Sequence, residues 1–173
     1  MLPRDAILKD VGEIFINDND LMGLLGVAKK RLPHNKKIKT YPARARVYTD
    51  EADDNAAMPY LVQQLHENSV YSNVLLRSGF YIIDIYAGST DKSVGGGYLS
   101  KEKVSKIAER IKQLLTDKII TQTGANPDYQ KLRTSFDSLR NVPLNESKIK
   151  QYQLVLMMRW LDMGAYKNSP VTC

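Results

Sequence analysis

The chain is poor in the side chains that reactive centres need. Its 173 residues include one cysteine, Cys173, and two histidines, His34 and His66. One cysteine cannot form an internal disulfide, and a chain terminus is a poor place to hold a nucleophile. Structural zinc needs about four ligands at short spacings, which these three residues do not supply. No hydrolase or metalloprotease signature occurs either, so we predict no catalytic residue, no cofactor and no metal site.

Long apolar runs are also lacking. No segment approaches the roughly 18–20 apolar residues that a membrane span needs. The N-terminus reaches Arg4 and Asp5 at once, unlike a signal peptide. We therefore expect a protein that is made and used, or assembled, in a cytoplasm, with no membrane partner. The length and the 43% hydrophobic content are typical of one globular domain, residues 1–173.

Positive charge is in excess, and much of it is local. The formal net charge is +6, and residues 29–46, the basic arm, hold eight Lys or Arg, two prolines and no acidic residue. The arm shows neither a helical nor a strand period, so we interpret it as extended or looped. Clustered charge of this kind points to a partner. The arm residues predicted to face it are Lys29, Lys30, Arg31, Lys36, Lys37, Lys39, Arg44 and Arg46.

An acidic turn at residues 50–55 follows the arm closely. It contains Asp50, Glu51, Asp53 and Asp54. The spacing is not that of a calcium loop, which leaves a solvated turn or a partner-facing patch. Since arm and turn are near each other, neighbouring copies of the chain can pair them head to tail. Contacts of this heterologous kind close into rings when the rotation permits.

Two alternatives stay open for the basic arm. It can contact nucleic acid through phosphates, which needs clustered Lys and Arg. Against this, Tyr41 is its single aromatic residue, and no recognition helix accompanies it. Otherwise it is a mobile segment kept solvated by like charges until it meets a protein partner.

The helical periods predict three helices, at residues 5–17, 19–25 and 100–118. In the first, Ile7, Val11 and Phe15 recur at the spacing of one buried face. The third follows a small-residue loop at residues 93–98 and carries an apolar stripe along its length. That loop matches neither phosphate-binding glycine motif, so we interpret it as a connection.

Strand patterns occur at residues 47–48, 59–65, 79–87, 129–141 and 149–162. The last alternates strictly between two sets of side chains. Both faces of residues 79–87 are apolar, which is typical of a central strand covered on both sides. We predict an α+β fold: a mainly antiparallel sheet, a long amphipathic helix packed on it, and N-terminal helices.

The order of these elements resembles that of the tail-terminator (tail completion, or head–tail joining) proteins of long-tailed bacteriophages. The resemblance covers residues 6–160. It starts from an N-terminal helix that ends in Leu-Met-Gly-Leu-Leu-Gly (21–26). It continues through the strands Pro-Tyr-Leu-Val (59–62) and Gly-Phe-Tyr-Ile-Ile-Asp-Ile-Tyr-Ala (79–87) to the helix at 104–115. The chain departs from the family in its Lys-rich insertion before Arg46 and in a C-terminal tail at residues 163–173.

The resemblance implies a structural virion protein rather than an enzyme. Family members form a hexameric ring that caps the head-proximal end of the tail tube, stops its polymerisation and joins it to the neck or connector. The implied partners are other copies of the chain, the tail-tube protein and neck or connector proteins. The implied location is the tail or neck of a virion, assembled in the host cytoplasm. The arm would touch a neighbouring subunit, the tube, or DNA in the lumen. The alternatives are a basic nucleic-acid-binding protein or another neck or tail-completion protein.

Overall fold

The structure is a computed structural model that describes residues 3–27, 46–52, 59–68, 75–88, 99–122, 126–142 and 149–163. Most of the basic arm, the small-residue loop at residues 93–98 and residues 164–173 of the C-terminal tail lie outside these ranges. The described helices are α1 (Pro3–Asn17), α2 (Asn19–Leu24) and α3 (Leu99–Leu115). The described strands are β1 (Val47–Thr49), β2 (Tyr60–Asn68), β3 (Leu76–Gly88), β4 (Ile119–Ile120), β5 (Tyr129–Val142) and β6 (Ile149–Asp162).

The predicted fold class is wrong. The protein is mostly β: one curled, mixed sheet of six strands with short helices, rather than an α+β domain built around a long amphipathic helix. The third helix stops at Leu115, three residues before the predicted end. The chain turns there, and Asp117 takes a left-handed conformation with φ 61°. The apolar stripe therefore gives way to β4, a strand too short to leave a period-two pattern.

The strand order in the sheet is β1-β2-β3-β6-β5-β4. β1 runs parallel to β2, whereas the other neighbours are antiparallel. The strand predicted at residues 149–162 is confirmed at both ends, and the one predicted at 129–141 extends by a single residue. Apolar and polar residues alternate over many positions in such long antiparallel strands, so the sequence predicts their bounds well.

All three helices pack on one side of the sheet, which we call the helix face. α1 buries Ile7, Val11 and Phe15 completely, as its spacing predicted. α2 begins at an N-cap, Asp18, whose Oδ1 accepts a hydrogen bond of 2.7 Å from the backbone N–H of Leu21. α3 adds its own stripe to the same core. The sheet residues in this core are Leu61, Leu65, Tyr81, Ile83, Ile85, Ala87, Tyr129, Leu132, Leu154, Leu156, Met158 and Trp160.

The polar side chain of Gln63 is held inside this core by hydrogen bonds. Gln63 of β2 is 3% exposed, and its Nε2 donates to the carbonyl of Leu8 and to Thr49 Oγ1, both at 3.0 Å. Its Oε1 accepts a 2.6 Å hydrogen bond from the Tyr81 hydroxyl. Gly12 permits this approach, because a Cβ there would lie 2.9 Å from Gln63 Nε2. The network fixes α1 against the sheet, since a buried amide without these partners would be costly.

The prediction that residues 79–87 form a strand covered on both sides is only half right. β3 is central, between β2 and β6. Its Tyr81, Ile83 and Ile85 are completely buried under the helices, whereas Ile82 and Tyr86 on its other side are only half-buried. Within the described ranges, no helix packs on that second side.

Candidate interaction surface

The side of the sheet opposite the helices, which we call the open face, is built by the alternate residues of the same strands. Cross-strand pairing places them in rows, such as Val62–Asp84–Gln153–Arg140 and His66–Phe80–Met157–Ser135. Residues directly opposite one another on a sheet interact as neighbours. The rows therefore define one continuous surface running from the β1 edge to the β4 edge.

The middle of the open face is apolar. Phe80 and Ile82 of β3 lie beside Met157 and Val155 of β6. Val155 is 7% exposed, and the other three are half-buried. Val155 is not part of the core under the helices, so its burial comes from its neighbours on this face. Apolar side chains left half-covered in this way favour association with another surface.

The β1 edge of the open face carries negative charge around aromatic rings. Asp50, Glu51 and Asp84 line a shallow cleft of about 400 Å³ together with Tyr60 and Tyr86. We call this the acidic cleft. Asp84 is only 8% exposed, and its Oδ1 accepts a 3.2 Å hydrogen bond from Gln153 Nε2. The cleft offers carboxylates and ring faces to a cationic partner.

Backbone geometry sets the position of the first carboxylate in the cleft. Asp50 has φ 64°, a left-handed conformation that Asp tolerates better than most residues. Its N–H donates to the carbonyl of Gln63 at 3.0 Å, and its carbonyl accepts from Gln64 Nε2 at 3.2 Å. Its Oδ1 accepts a 2.8 Å hydrogen bond from Arg4 Nη2 in an ion pair whose side chains are 38% and 53% exposed. An exposed pair of this kind contributes little to stability.

Three tyrosines, Tyr48, Tyr60 and Tyr86, form a cluster beside the carboxylates. Tyr60 stacks on Tyr86 with ring centroids 4.7 Å apart, and Tyr48 meets Tyr60 edge-on at 5.7 Å. Burial raises the pKa of Tyr60, with a further contribution from Tyr48. Burial also raises the pKa of Tyr86, helped by the charge of Asp84. Both phenols therefore stay neutral at physiological pH, and the cluster presents rigid aromatic surface of the kind enriched at interfaces.

The β4 edge of the open face carries positive charge. Lys118, Arg133 and Arg159, together with one carboxylate, Asp117, line a groove of about 470 Å³ around Ile119 and Met157. We call this the basic edge. Ile119 is 57% exposed, the most exposed large apolar side chain in the described part of the protein. The groove combines an exposed apolar centre with a net positive surround, which is complementary to an anionic partner with some apolar surface.

The far half of β5 is a free edge. β4 pairs with β5 only at Leu132 and Arg133, so residues 134–142 have a neighbouring strand on one side alone within the described part of the sheet. Phe136 and Leu139 are 44% and 41% exposed there, and Lys112 Nζ lies 4.6 Å from the centre of the Phe136 ring. Unpaired strand edges are templates for pairing with another chain.

The structure describes three of the twelve residues predicted to face a partner. Asp50 and Glu51 lie in the acidic cleft, and Arg46 is half-buried, with its Nη1 donating to the carbonyl of Pro59 at 3.1 Å. The prediction for these positions remains untested. The other predicted positions lie outside the described residues: Lys29, Lys30, Arg31, Lys36, Lys37, Lys39, Arg44, Asp53 and Asp54.

The basic edge was missed at the sequence level. Its cations come from β5, β6 and the turn before β4, and cross-strand pairing brings Arg133 opposite Arg159. Because these cations are far apart in the sequence, they do not appear there as a charge cluster. A partial signal existed in the alternation of β6, which puts Arg159 on the same side as Met157 and Val155.

No group of three or more potential metal ligands occurs among the residues that the structure describes. Among those residues there is likewise no helix with the length and apolar character to cross a membrane.

Comparison with known proteins shows that the fold of this chain is similar to that of a solved structure. No family model matches the sequence, and no curated protein matches it. A chain in the structure of the virion of a native gene transfer agent particle is similar to 87% of this chain and 91% of its own length, with a TM-score of 0.54 and 11% identity. A second solved chain is similar to 84% of this chain and 96% of its own length at 13% identity, with a lower TM-score of 0.44. The chain thus shares its fold with a virion component.

Proposed function

We propose that this chain is a structural virion protein that acts as a tail terminator: a ring of copies that caps the head-proximal end of a tail tube and joins it to the neck. The observation that carries the proposal is the fold shared with a chain of a gene transfer agent virion along almost its whole length. The element order that resembles tail terminators points in the same direction. The proposed work of the protein is therefore association rather than catalysis.

The surface chemistry supports association. One face of the sheet is covered by helices, and the other keeps an apolar middle, a tyrosine cluster and charged edges. The described part of the chain leaves the apolar middle of this face half-buried, and such groups are stabilised when a partner removes them further from water. In a ring, neighbouring subunits or the tube would cover it.

The proposal is tested by mass and by capping. Native mass spectrometry of the purified chain should give a closed oligomer several times the 19.6 kDa of one copy, expected to be a hexamer. Added to polymerising tail-tube protein, the chain should shorten the tubes and appear at one end in electron micrographs. A chain that stays monomeric and leaves tube length unchanged contradicts the proposal.

The basic arm provides a second test. Replacing Lys29, Lys30, Arg31, Lys36 and Lys37 with Ser should weaken ring formation or tube binding while leaving the monomer folded, because the arm is proposed to face a partner. A matched control replaces exposed cations elsewhere, Lys9 and Lys106. Ring formation and tube binding that match those of the control argue against a role for the arm.

Nucleic-acid binding is the alternative function of the same arm. The salt dependence of DNA binding distinguishes it from the tail-terminator proposal. A protein that neutralises phosphates should retain DNA at low salt and lose it steeply as salt rises, even as a monomer. Steep, oligomer-independent DNA binding together with indifference to the tube would favour this alternative over the tail-terminator proposal.

A further inference from the structure

The two edges of the open face carry opposite charge. The acidic cleft (Asp50, Glu51 and Asp84 around Tyr60 and Tyr86) lies at the β1 edge, and the basic edge lies at the β4 edge. We propose that the basic edge of one copy docks into the acidic cleft of a second copy, and that this contact links the copies. The inference deepens the proposed ring, on which it rests, by naming the surfaces that meet.

Within one copy, the acidic cleft and the basic edge cannot contact each other. The acidic cleft spans β1 to β3 and the basic edge spans β6 to β4, so the two surfaces reach adjacent strands in the middle of the sheet. They are separated along the strands instead: Asp84 of β3 is level with Gln153 of β6, six residues from Arg159, which is roughly 20 Å at about 3.4 Å per residue. That distance exceeds the Debye length of about 8–10 Å at ordinary salt, so the charges are screened from each other within a copy. They come together only between copies.

The groups on the two surfaces are chemically matched. Arg133 and Arg159 present guanidinium groups, which bind carboxylates in a bidentate manner and also lie over aromatic rings. The cleft supplies both kinds of acceptor, in its carboxylates and in the stacked rings of Tyr60 and Tyr86. Ile119 adds an exposed apolar side chain that can pack beside Val62, which lines the same cleft.

Except for Asp84, which is 8% exposed, the charged groups required for docking are accessible. Glu51, Arg133 and Arg159 are exposed. Among the described residues, no ion pair within the copy occupies Arg133 or Lys118, and Arg159 Nη2 only approaches Met157 Sδ at 3.7 Å. Asp50 is paired with Arg4, but that pair is exposed on both sides, so exchanging its partner costs little.

The contact is heterologous, because it joins two different surfaces. After one contact forms, each of the two copies still has one surface free. Repetition therefore produces a closed ring or an open filament, according to the rotation between copies. A two-fold dimer, in which both surfaces of one copy meet both surfaces of the other, would instead stop at two copies.

Two neutralising variants separate the surfaces. Arg133→Gln with Arg159→Gln removes the cations from the basic edge and keeps the aliphatic stems. Asp50→Asn with Glu51→Gln removes carboxylates from the cleft, and Asn retains the tolerance of Asp50 for a left-handed backbone. Lys9→Gln with Lys106→Gln is the control, because it removes two exposed cations from the helix side of the protein. Urea unfolding of each variant at low concentration checks that the monomer is intact.

The measurement is oligomeric mass against protein concentration and salt. Wild type and the control should form oligomers larger than a dimer, and each neutralised variant should need at least about tenfold more protein to assemble. An equimolar mixture of the two variants should form 1:1 heterodimers, because it retains one intact contact. Raising the salt to about 1 M should weaken wild-type assembly, since screening shortens the reach of the charges.

Three outcomes overturn the docking proposal: folded variants that assemble like the control, a wild-type protein that stops at a dimer, or a variant mixture that stays monomeric. Intact rings in both edge variants reject the docking proposal and leave the tail-terminator proposal standing. A wild-type chain that is monomeric even with tail-tube protein rejects both. Rings broken by the arm variant but not by the edge variants assign the contact to the arm instead.

Discussion

The two faces of the sheet are made by the same strands, yet they have different chemistry. On β3, Ile83 is completely buried under the helices, and the adjacent Ile82 is half-buried on the open face. On the helix face, the buried amide of Gln63 makes three hydrogen bonds within the chain. On the open face, charges collect at opposite edges and the apolar middle stays partly uncovered. The comparison indicates that one face maintains the fold and the other is available to partners.

Truncating one isoleucine on each face is the sharpest test of this comparison. Ile83→Ala should lower the free energy of unfolding by about 2–5 kcal/mol, because it leaves a cavity in a packed core. Ile82→Ala should cost clearly less, about 1 kcal/mol, since part of that side chain is already in water. Urea unfolding at a concentration where the protein is monomeric measures both. Equal losses would mean that the two faces contribute alike to the stability of the monomer.

Two tyrosines of β3 extend the test to polar groups. Tyr81→Phe should cost about 1–3 kcal/mol, because it leaves Gln63 Oε1 buried without its 2.6 Å donor. Tyr86→Phe keeps the ring that stacks on Tyr60 and should change stability by less than about 0.5 kcal/mol. Thermal and urea unfolding of the two variants provide the measurement. A larger loss for Tyr86→Phe would place a structural hydrogen bond on the open face.

The charged contact between α2 and α3 gives a smaller effect with a defined pH dependence. Arg110 donates to both oxygens of Asp18, at 3.0 and 2.7 Å, and these hydrogen bonds hold the pKa of Asp18 below its ordinary value. A lowered pKa in the folded state means that the pair stabilises the protein above about pH 4, the unfolded-state pKa of Asp. This contribution is lost as the pH falls through the lower folded-state value.

Arg110→Gln should therefore lower the free energy of unfolding at pH 7, and by progressively less as the pH falls below 4. The matched control is Lys106→Gln, which breaks an exposed pair with Glu102 whose side chains are 62% and 60% exposed. The control should lower the free energy of unfolding by less than Arg110→Gln does at pH 7, because exposed pairs contribute little. Unfolding curves from pH 2.5 to 7 distinguish the two. A pH-independent loss in Arg110→Gln would exclude the Asp18 carboxylate as the cause.

Much of the element layout was predictable from the residues. Ile7, Val11 and Phe15 predicted the buried side of α1, and the alternation along residues 149–162 predicted β6 with its bounds. These signals depend only on which side chains share a side of a helix or strand. The fold class was not predictable in the same way. The fold class depends on pairings between distant segments. Such pairings make strands predominate over helices, and they produce the parallel β1 and the two-residue β4.

The candidate surface was predictable at one edge only. Asp50 and Glu51 are adjacent in sequence, so their charge was visible as a cluster. Arg133 and Arg159 are far apart in sequence and become neighbours through the ladder between β5 and β6. Pairing also brought together Tyr60 and Tyr86 from consecutive strands. Interactions between strands of this kind have no local signature, because any register consistent with burial is locally acceptable.

By itself, the sequence determined that this protein has apolar stripes sufficient for a core, an excess of positive charge, one cysteine and two histidines. Periodicity and composition are local properties, so they can be determined from the sequence without a structure. Only the tertiary structure decided that all described helices cover the same face of one mixed sheet and that opposite charges occupy its two edges. That arrangement follows from strand order and register, which are set by the joint burial of residues far apart in the chain.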